Sequence, residues 1–434
     1  MSDKNANSNV AFVRHDTLPE RVPPLGERGL IKWLRDNLFS SVTNGILTLL
    51  ALWAIYLVLS SSLPWLLNGV WVADSIRDCR VILDGATGGC FAVLTERWNQ
   101  LLFGFAYPND AYWRPTLAFV LMFAAIAPVM FVVLPRKMLI FTGLYPLIAY
   151  FLVWGGSIWV PIMVLGSLAA GYLVYSKYIT SSFALAFGGG VVATLAFWWI
   201  SGFVTPMLAS AIPIALESVE SRQVGGFMLN MILGVVCLSL ALPLGIVLAL
   251  GRQSDMPIIK WICVVFIEFV RGVPLITLLF VANVVLAYFL PPGSNFDLIL
   301  RVIIMITLFA AAYIAEVIRG GLAALPTGQY EAADSLGLDY PQAMRLIILP
   351  QALKISIPGI VNVAVGLFKD TTLVSVISMF DLVGMVRGPI LSSTDWNGVY
   401  WELFIFAALL FFVICYGISQ YSQWLERQLE TEQR

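Results

Sequence analysis

The chain has 434 residues, a mean hydropathy of +0.87 and only 12% charged side chains, about half the charged share of a soluble domain. No single water-soluble core can hide that much apolar surface, so lipid must serve as solvent for much of it. A net charge of −1 gives no electrostatic footing for a nucleic-acid partner, and a single histidine, His15, excludes His-rich metal sites and argues against a Ser-His-Asp triad.

Residues 1–38 are polar and mixed in charge, from Lys4 to Asp36. A secretory signal would carry its apolar core much nearer Met1, so this stretch reads as an uncleaved cytoplasmic tail. Ten apolar runs follow, at 41–64, 115–134, 138–154, 158–176, 183–201, 227–250, 258–290, 299–318, 355–380 and 401–422. Each approaches the roughly 20 residues a spanning helix needs. The run 258–290 has room for an elbow ahead of its span, and Lys369 and Asp370 interrupt 355–380. Backbone polar groups cannot stay bare in lipid, and the runs are far too long for barrel strands. The expected fold is therefore an all-α polytopic membrane protein of about ten transmembrane helices. No internal repeat shows at any fixed period.

Lys and Arg bias sets the expected orientation. With the N-terminus inside, Arg136, Lys137, Lys177, Arg252, Lys260, Arg319, Arg345 and Lys354 fall on the inner side, and fewer, including Arg77, Arg80, Arg97 and Arg114, fall outside. Both termini are then cytoplasmic. The outer loop at about 65–114 carries Cys79 and Cys90. The outer side of a bacterial inner membrane is oxidising, which makes them a candidate disulfide; the sequence leaves open whether they approach within bonding distance. Cys237, Cys263 and Cys415 sit in apolar runs as inert thiols. The second outer loop, about 202–225, has the composition of a short surface helix. Gly188-Gly189-Gly190 and Gly320-Gly321 read as close helix packing or a helix end.

The stretch EAADSLGLDYPQAMRLIILPQA, Glu331 to Ala352, interrupts the apolar chain on the inner side. Thr327 is expected to cap a helix from Gly328 whose first turns carry Glu331. Gly337 can take the left-handed conformation that stops it. Asp339 and Gln342 form a capping-box pair for a second helix, and Pro350 is expected to limit that helix. Two short helices joined by a glycine corner would present Ala332, Ala333 and Leu336 as a small, smooth face for another protein's groove. The plainer alternative is an amphipathic loop lying against the bilayer.

The spacing E-A-A, glycine four residues on, nine residues, then I-x-L-P resembles the EAA loop of ABC-importer permeases, with Glu331, Ala332, Ala333, Gly337, Ile347, Leu349 and Pro350 in place. FVRGVPLITLLF (269–280) is similar to the F-x-R-G-T-P-L segment of polar-amino-acid permeases, with Val273 for Thr. AEVIRGGLAALPTGQYEAA (315–333) resembles their approach to the EAA loop, and LFKDTTLVSVIS (367–378) their K-D-T-S-L segment, with Thr372 for Ser. The long N-terminal half, with LFSSVTNGILTLL and FGFAYPNDAYWRP, resembles the larger permease subunits of general L-amino-acid importers of the Aap/Bzt type.

That resemblance implies a permease core at 226–425 with its EAA loop at 327–352, an N-terminal extension at 39–225 with about five spans, and a short C-terminal tail at 426–434. It implies an importer of L-amino acids across the bacterial inner membrane. Its partners would be two ATP-binding subunits, a second permease that is a shorter homologue, and a periplasmic amino-acid-binding protein. The chain has no G-x-x-x-x-G-K-[ST] loop, so ATP would be used by a partner and no cofactor, metal or catalytic site is expected here. ATPase coupling would fall to Glu331, Ala332, Ala333, Leu336, Gly337, Gln342, Arg345, Ile347, Leu349 and Pro350.

Charges inside spans need an explanation, since each costs several kcal/mol at mid-bilayer. Glu268 with Arg271, and Glu316 with Arg319, are spaced to pair along one helix face. Lys369 and Asp370 are adjacent and cannot face each other on a helix. A zwitterionic amino acid offers one charge of each sign, so Lys369, Asp370 and Glu316, with Thr371 and Thr372 nearby, are candidates for the translocation path. An ion-coupled secondary transporter is the rival reading; it usually carries inverted repeats.

Overall fold

A computed structural model describes residues 29–131, 133–179, 182–285 and 296–431. Residues 1–28 of the expected tail, with His15, the end of the run 258–290, and residues 432–434 lie outside the described residues. The chain divides into two compact units.

The first holds residues up to Gly69 together with Ala86–Gly88. It contains α1 (Gly29–Asn37) and α2 (Val42–Leu67). Ser41 caps α2 by accepting from the Asn44 N–H at 3.1 Å, which satisfies a donor that a helix start leaves free. None of the residues in α2 is buried in the chain. Its surface is apolar on all sides, as suits a helix wrapped by lipid.

The second unit opens with α3 (Ile76–Leu83), α4 (Ala92–Glu96) and α5 (Trp98–Phe103); a Cys79–Cys90 disulfide ties α3 to the segment just ahead of α4. Next come α6 (Trp113–Met130) and α7 (Leu139–Trp154), then β1 (Gly156–Ser157), α8 (Trp159–Tyr178) and α9 (Phe183–Ala211). The outer loop is expected from about residue 202, but α9 runs on to Ala211 with Pro206 inside it, a break that membrane helices tolerate. The loop beyond holds β2 (Ala215–Leu216), which pairs antiparallel with β1. Gly155 takes φ +70, and a Cβ there would collide with the Glu217 carbonyl, so only glycine lets this strap close.

The remainder is a packed helical core: α10 (Gly226–Gln253), α11 (Pro257–Gly272), α12 (Leu275–Phe280), α13 (Leu298–Ala323), α14 (Gly328–Ser335), α15 (Tyr340–Ala343), α16 (Leu349–Asp370), α17 (Leu382–Met385) and α18 (Tyr400–Thr431). α10 and α13 cross at its centre, where Leu233, Cys237, Ile306 and Ile314 are fully buried. Gly245 allows the approach, since a Cβ there would stand 2.6 Å from the Ile314 side chain. A second cluster, around Trp396, Leu382 and Leu403, joins the disulfide-bonded segment to the start of α18. There the Cys90 N–H donates to the buried Glu402 carboxylate at 2.9 Å.

Between α11 and α12 the chain bends by 102°. Pro274 excludes the helical conformation from Val273, which sits extended at φ −107, ψ 131. Among the described residues nine helices are long and apolar enough to cross a membrane, or ten when this bent pair counts as one span. The fold is all-α and polytopic.

Candidate functional site

The half-polar stretch after α13 builds a corner from local rules. α14 starts at Gly328, but Thr327 is itself helical, at φ −55, ψ −32, and its side chain caps nothing. Pro326 has already begun the turn, so the expected Thr327 cap is absent. At the other end Gly337 takes φ +72. Around it the Gly337 N–H donates to the Asp334 carbonyl at 2.9 Å and the Leu338 N–H reaches back to Ala333 at 3.3 Å. This doubly bonded left-handed stop satisfies the carbonyls that α14 would leave open. Asp339 then caps α15. It accepts from the Gln342 N–H at 2.9 Å, while its own N–H donates to the Gln342 side chain at 3.4 Å, a reciprocal pair.

Pro350 does not limit the second helix. α15 runs through a π-helical turn, Met344–Ile348, straight into α16, with Pro350 in the first turn of α16. The wider turn redirects the hydrogen bonds upstream of a residue that has no N–H to give. Tyr340–Ile377 is therefore one helical run of 38 residues.

The exposed face differs from expectation in one position. Glu331, Ala332, Leu336, Gln342, Arg345 and Pro350 are exposed, but Ala333 is fully buried. It lies four residues before Gly337 and faces inward where the two arms of the corner meet. Leu336 at 73%, Tyr340 at 59% and Leu346 at 64% exposure form the outward apolar surface. Ile347 and Leu349 are half-buried, Ile347 against the main core. Gln351 donates to Gln329 at 2.9 Å, tying α16 to α14.

Above this corner, charges converge in the last turns of α13. Glu316 accepts from Arg319 Nε at 3.0 Å and from Arg252 Nη1 at 3.2 Å, and stands 3.5 Å from Arg271. Glu268 pairs with Arg252 at 2.8 Å instead of with Arg271. The three-residue spacing of Glu268 and Arg271 permits their pairing, but Arg252 arrives from α10 with better reach. Arg271 also lies over the Tyr313 ring, 5.6 Å from its centre, a cation–π contact. Glu316 is thus ringed by three guanidinium groups. Its carboxylate is satisfied within the chain, unlike a group bared to a passing substrate.

At the far end of α16 the helix tightens into a 3-10 turn, Thr371–Ile377. Lys369 is exposed and Asp370 half-buried, and neither forms an ion pair with a described residue. Thr372 is half-buried and donates back to the Lys369 carbonyl at 2.8 Å. Thr371 is fully buried and turned inward, so it does not share the open surface expected of it. Its hydroxyl donates to the Phe368 carbonyl at 2.7 Å and accepts from Asn230 Nδ2 at 2.9 Å.

Asn230 and Asp381, neither of which belongs to a sequence motif, are both fully buried. Asn230 donates to Asp381 at 3.1 Å and accepts from the Leu382 N–H at 3.0 Å. Asp381 caps α17 through the N–H groups of Gly384 and Val383 at 2.9 and 3.3 Å. Burial pushes the Asp381 carboxyl up to about 6, against the pull of these donors. Their one mark in the sequence is a lone Asn in an apolar run, which is costly unless partnered.

Comparison with known proteins gives a full-length match. The family model described as "Binding-protein-dependent transport system inner membrane component" matches residues 241–431. The glutamate/glutamine/aspartate/asparagine transport system permease protein BztC of Rhodobacter capsulatus is 53% identical over 434 residues, covering 98% of this chain and 100% of that protein. The inner membrane amino-acid ABC transporter permease protein YhdY of Escherichia coli is 39% identical over 402 residues, covering 92% and 93%. A crystal structure of an amino acid ABC transporter with histidines aligns with a TM-score of 0.42 at 31% identity, over 47% of this chain and 92% of that one. Through its full-length relatives and the family match in its C-terminal half, the chain belongs to the inner-membrane permeases of binding-protein-dependent ABC importers, which act with ATP-binding subunits and a substrate-binding protein.

Proposed function

We propose that this chain forms one half of the pore of an importer for polar L-amino acids, of the glutamate, glutamine, aspartate and asparagine class. The full-length relative from Rhodobacter capsulatus carries those four substrates in its name, which supports the assignment. Both termini lie in the cytoplasm, and the corner at 327–352 faces the ATP-binding subunits. The sequence carries no G-x-x-x-x-G-K-[ST] loop, so ATP is hydrolysed by the partner subunits. Two ATP-binding subunits and a second, shorter permease complete the membrane complex.

The observation that carries this reading is the corner itself. Hydrogen bonds close both of its arms, so it can move as a rigid body, and Leu336, Tyr340 and Leu346 project from it as an apolar surface with no partner among the described residues. Closure of an ATPase pair around that surface would push on α13 at one end and α16 at the other. Lys369, Asp370 and Thr372 stand on the translocation path, where the two unpaired charges suit the ammonium and carboxylate of an amino acid.

The test is reconstitution of the co-expressed complex in liposomes with the binding protein. ATP-driven uptake of L-glutamate, with protease cleavage of residues 331–352 only from the ATP side, is the expected result. Uptake by the isolated chain on a proton gradient, or cleavage of the corner from the binding-protein side, would overturn the assignment.

A further inference from the structure

The 3-10 turn at the end of α16 is held by one side chain on another helix. Asn230 sits in the second turn of α10 and uses its whole amide. One N–H goes to the Thr371 hydroxyl, the other to Asp381, and its oxygen takes the Leu382 N–H. A buried amide so fully bonded is worth more as a fixture than as packing, since removing it takes one bond each from Thr371 and Asp381 and leaves the Leu382 N–H without its acceptor. α10 and α16 are also in close approach here: a Cβ on Gly234 would stand 2.7 Å from the Phe368 ring.

Successive residues turn by about 100° in an α-helix and about 120° in a 3-10 turn. With Thr371 fixed toward Asn230, Asp370 stands roughly a third of a turn away and Lys369 on the far side of the helix. Thr371 is fully buried, Asp370 half-buried and Lys369 exposed, as that rotation requires. The Asn230–Thr371 bond therefore pins, at this end, the azimuth that the winding of α16 gives Lys369 and Asp370. We propose that Asn230 is a positioning residue for transport, which acts through Thr371 to aim Lys369 and Asp370 into the path and so sets the preference between acidic and amide substrates. This rests on the reading that Lys369 and Asp370 line that path.

The experiment uses the full importer in liposomes with saturating loaded binding protein. It compares initial uptake rates of L-glutamate and L-glutamine for Asn230→Leu, Thr371→Val, Thr371→Ser, Asp370→Asn and Lys369→Gln. Asn230→Leu and Thr371→Val are expected to change the glutamate-to-glutamine rate ratio by about threefold or more, as a displaced charge would. Thr371→Ser keeps the hydroxyl and is expected to keep the wild-type ratio. Thr371→Val preserves volume and serves if Asn230→Leu fails to assemble. If both rates fall together and the ratio stays at wild type, Asn230 is only structural and the proposal fails. If Asp370→Asn and Lys369→Gln shift the ratio while Asn230→Leu and Thr371→Val do not, the positioning role alone is lost. If Asp370→Asn and Lys369→Gln change neither rate, the path reading falls and the proposal with it.

Discussion

The Leu338 N–H donates to the Ala333 carbonyl at 3.3 Å across Gly337, which sits at φ +72. Any side chain at 337 meets a conformational penalty of roughly 1–2 kcal/mol, larger for a β-branched one. Gly337→Val should leave the chain inserted and the pore assembled while uptake and substrate-stimulated ATPase activity fall together. Gly337→Asn should keep more of both, because Asn tolerates the left-handed region. Normal uptake by the valine variant would show that the corner transmits nothing.

Glu316 is the shared partner of Arg252, Arg271 and Arg319, with 22% of its side chain exposed. Glu316→Gln leaves three cations facing a neutral amide. The expected cost is about 1–3 kcal/mol, read as a lower melting temperature of the purified complex in detergent. Glu268→Gln removes a carboxylate that is 53% exposed and should shift melting by much less. Equal effects from the two would remove Glu316 from its central place.

Asp381 binds its proton more tightly in the folded chain, with a value of about 6 against 3.8, so the folded state holds more protons than the unfolded one between those limits. The contribution of this group to stability is present in full below about pH 4 and is lost as pH rises through about 6. Asp381→Asn should flatten that part of the stability-versus-pH curve. It should also lower stability throughout, because an amide cannot accept from all of the donors that meet the carboxylate. A curve of unchanged shape in the variant would assign the pH dependence elsewhere.

The Cys79–Cys90 bond closes a loop with a sequence separation of 11. A bridge across so short a loop is worth about 2–3 kcal/mol. Cys79→Ser with Cys90→Ser, or reduction of the wild type, should lower the melting temperature and should expose the Glu402 neighbourhood to hydrogen exchange. Free thiols at both positions in folded, unreduced protein would contradict the bond.

Local rules carried much of this in the sequence. The apolar runs located the spans, Gly337 marked the corner, and the Asp339–Gln342 spacing gave a capping pair with both of its hydrogen bonds. The failures lie where the third dimension intervenes. Glu268 takes Arg252, from a different helix, over the nearer Arg271. Ala333 looks like surface until the corner folds over it. Pro350 looks like a stop because the sequence does not show that a π-helical turn can absorb its missing donor. Thr371 and Thr372 are alike on paper, and only Asn230, 141 residues away in the chain, turns the first of them inward.

The unbroken winding from Tyr340 to Ile377 ties the angular bearing of every residue along it to that of the first. Adding one alanine just beyond the π-helical turn would swing everything downstream by about 100°. Lys369 and Asp370 would then face a different direction, although no atom at either end had been altered. Spacing along this segment is therefore as strictly constrained as residue identity, and its tolerance for length change should be far lower than that of the connections on either side.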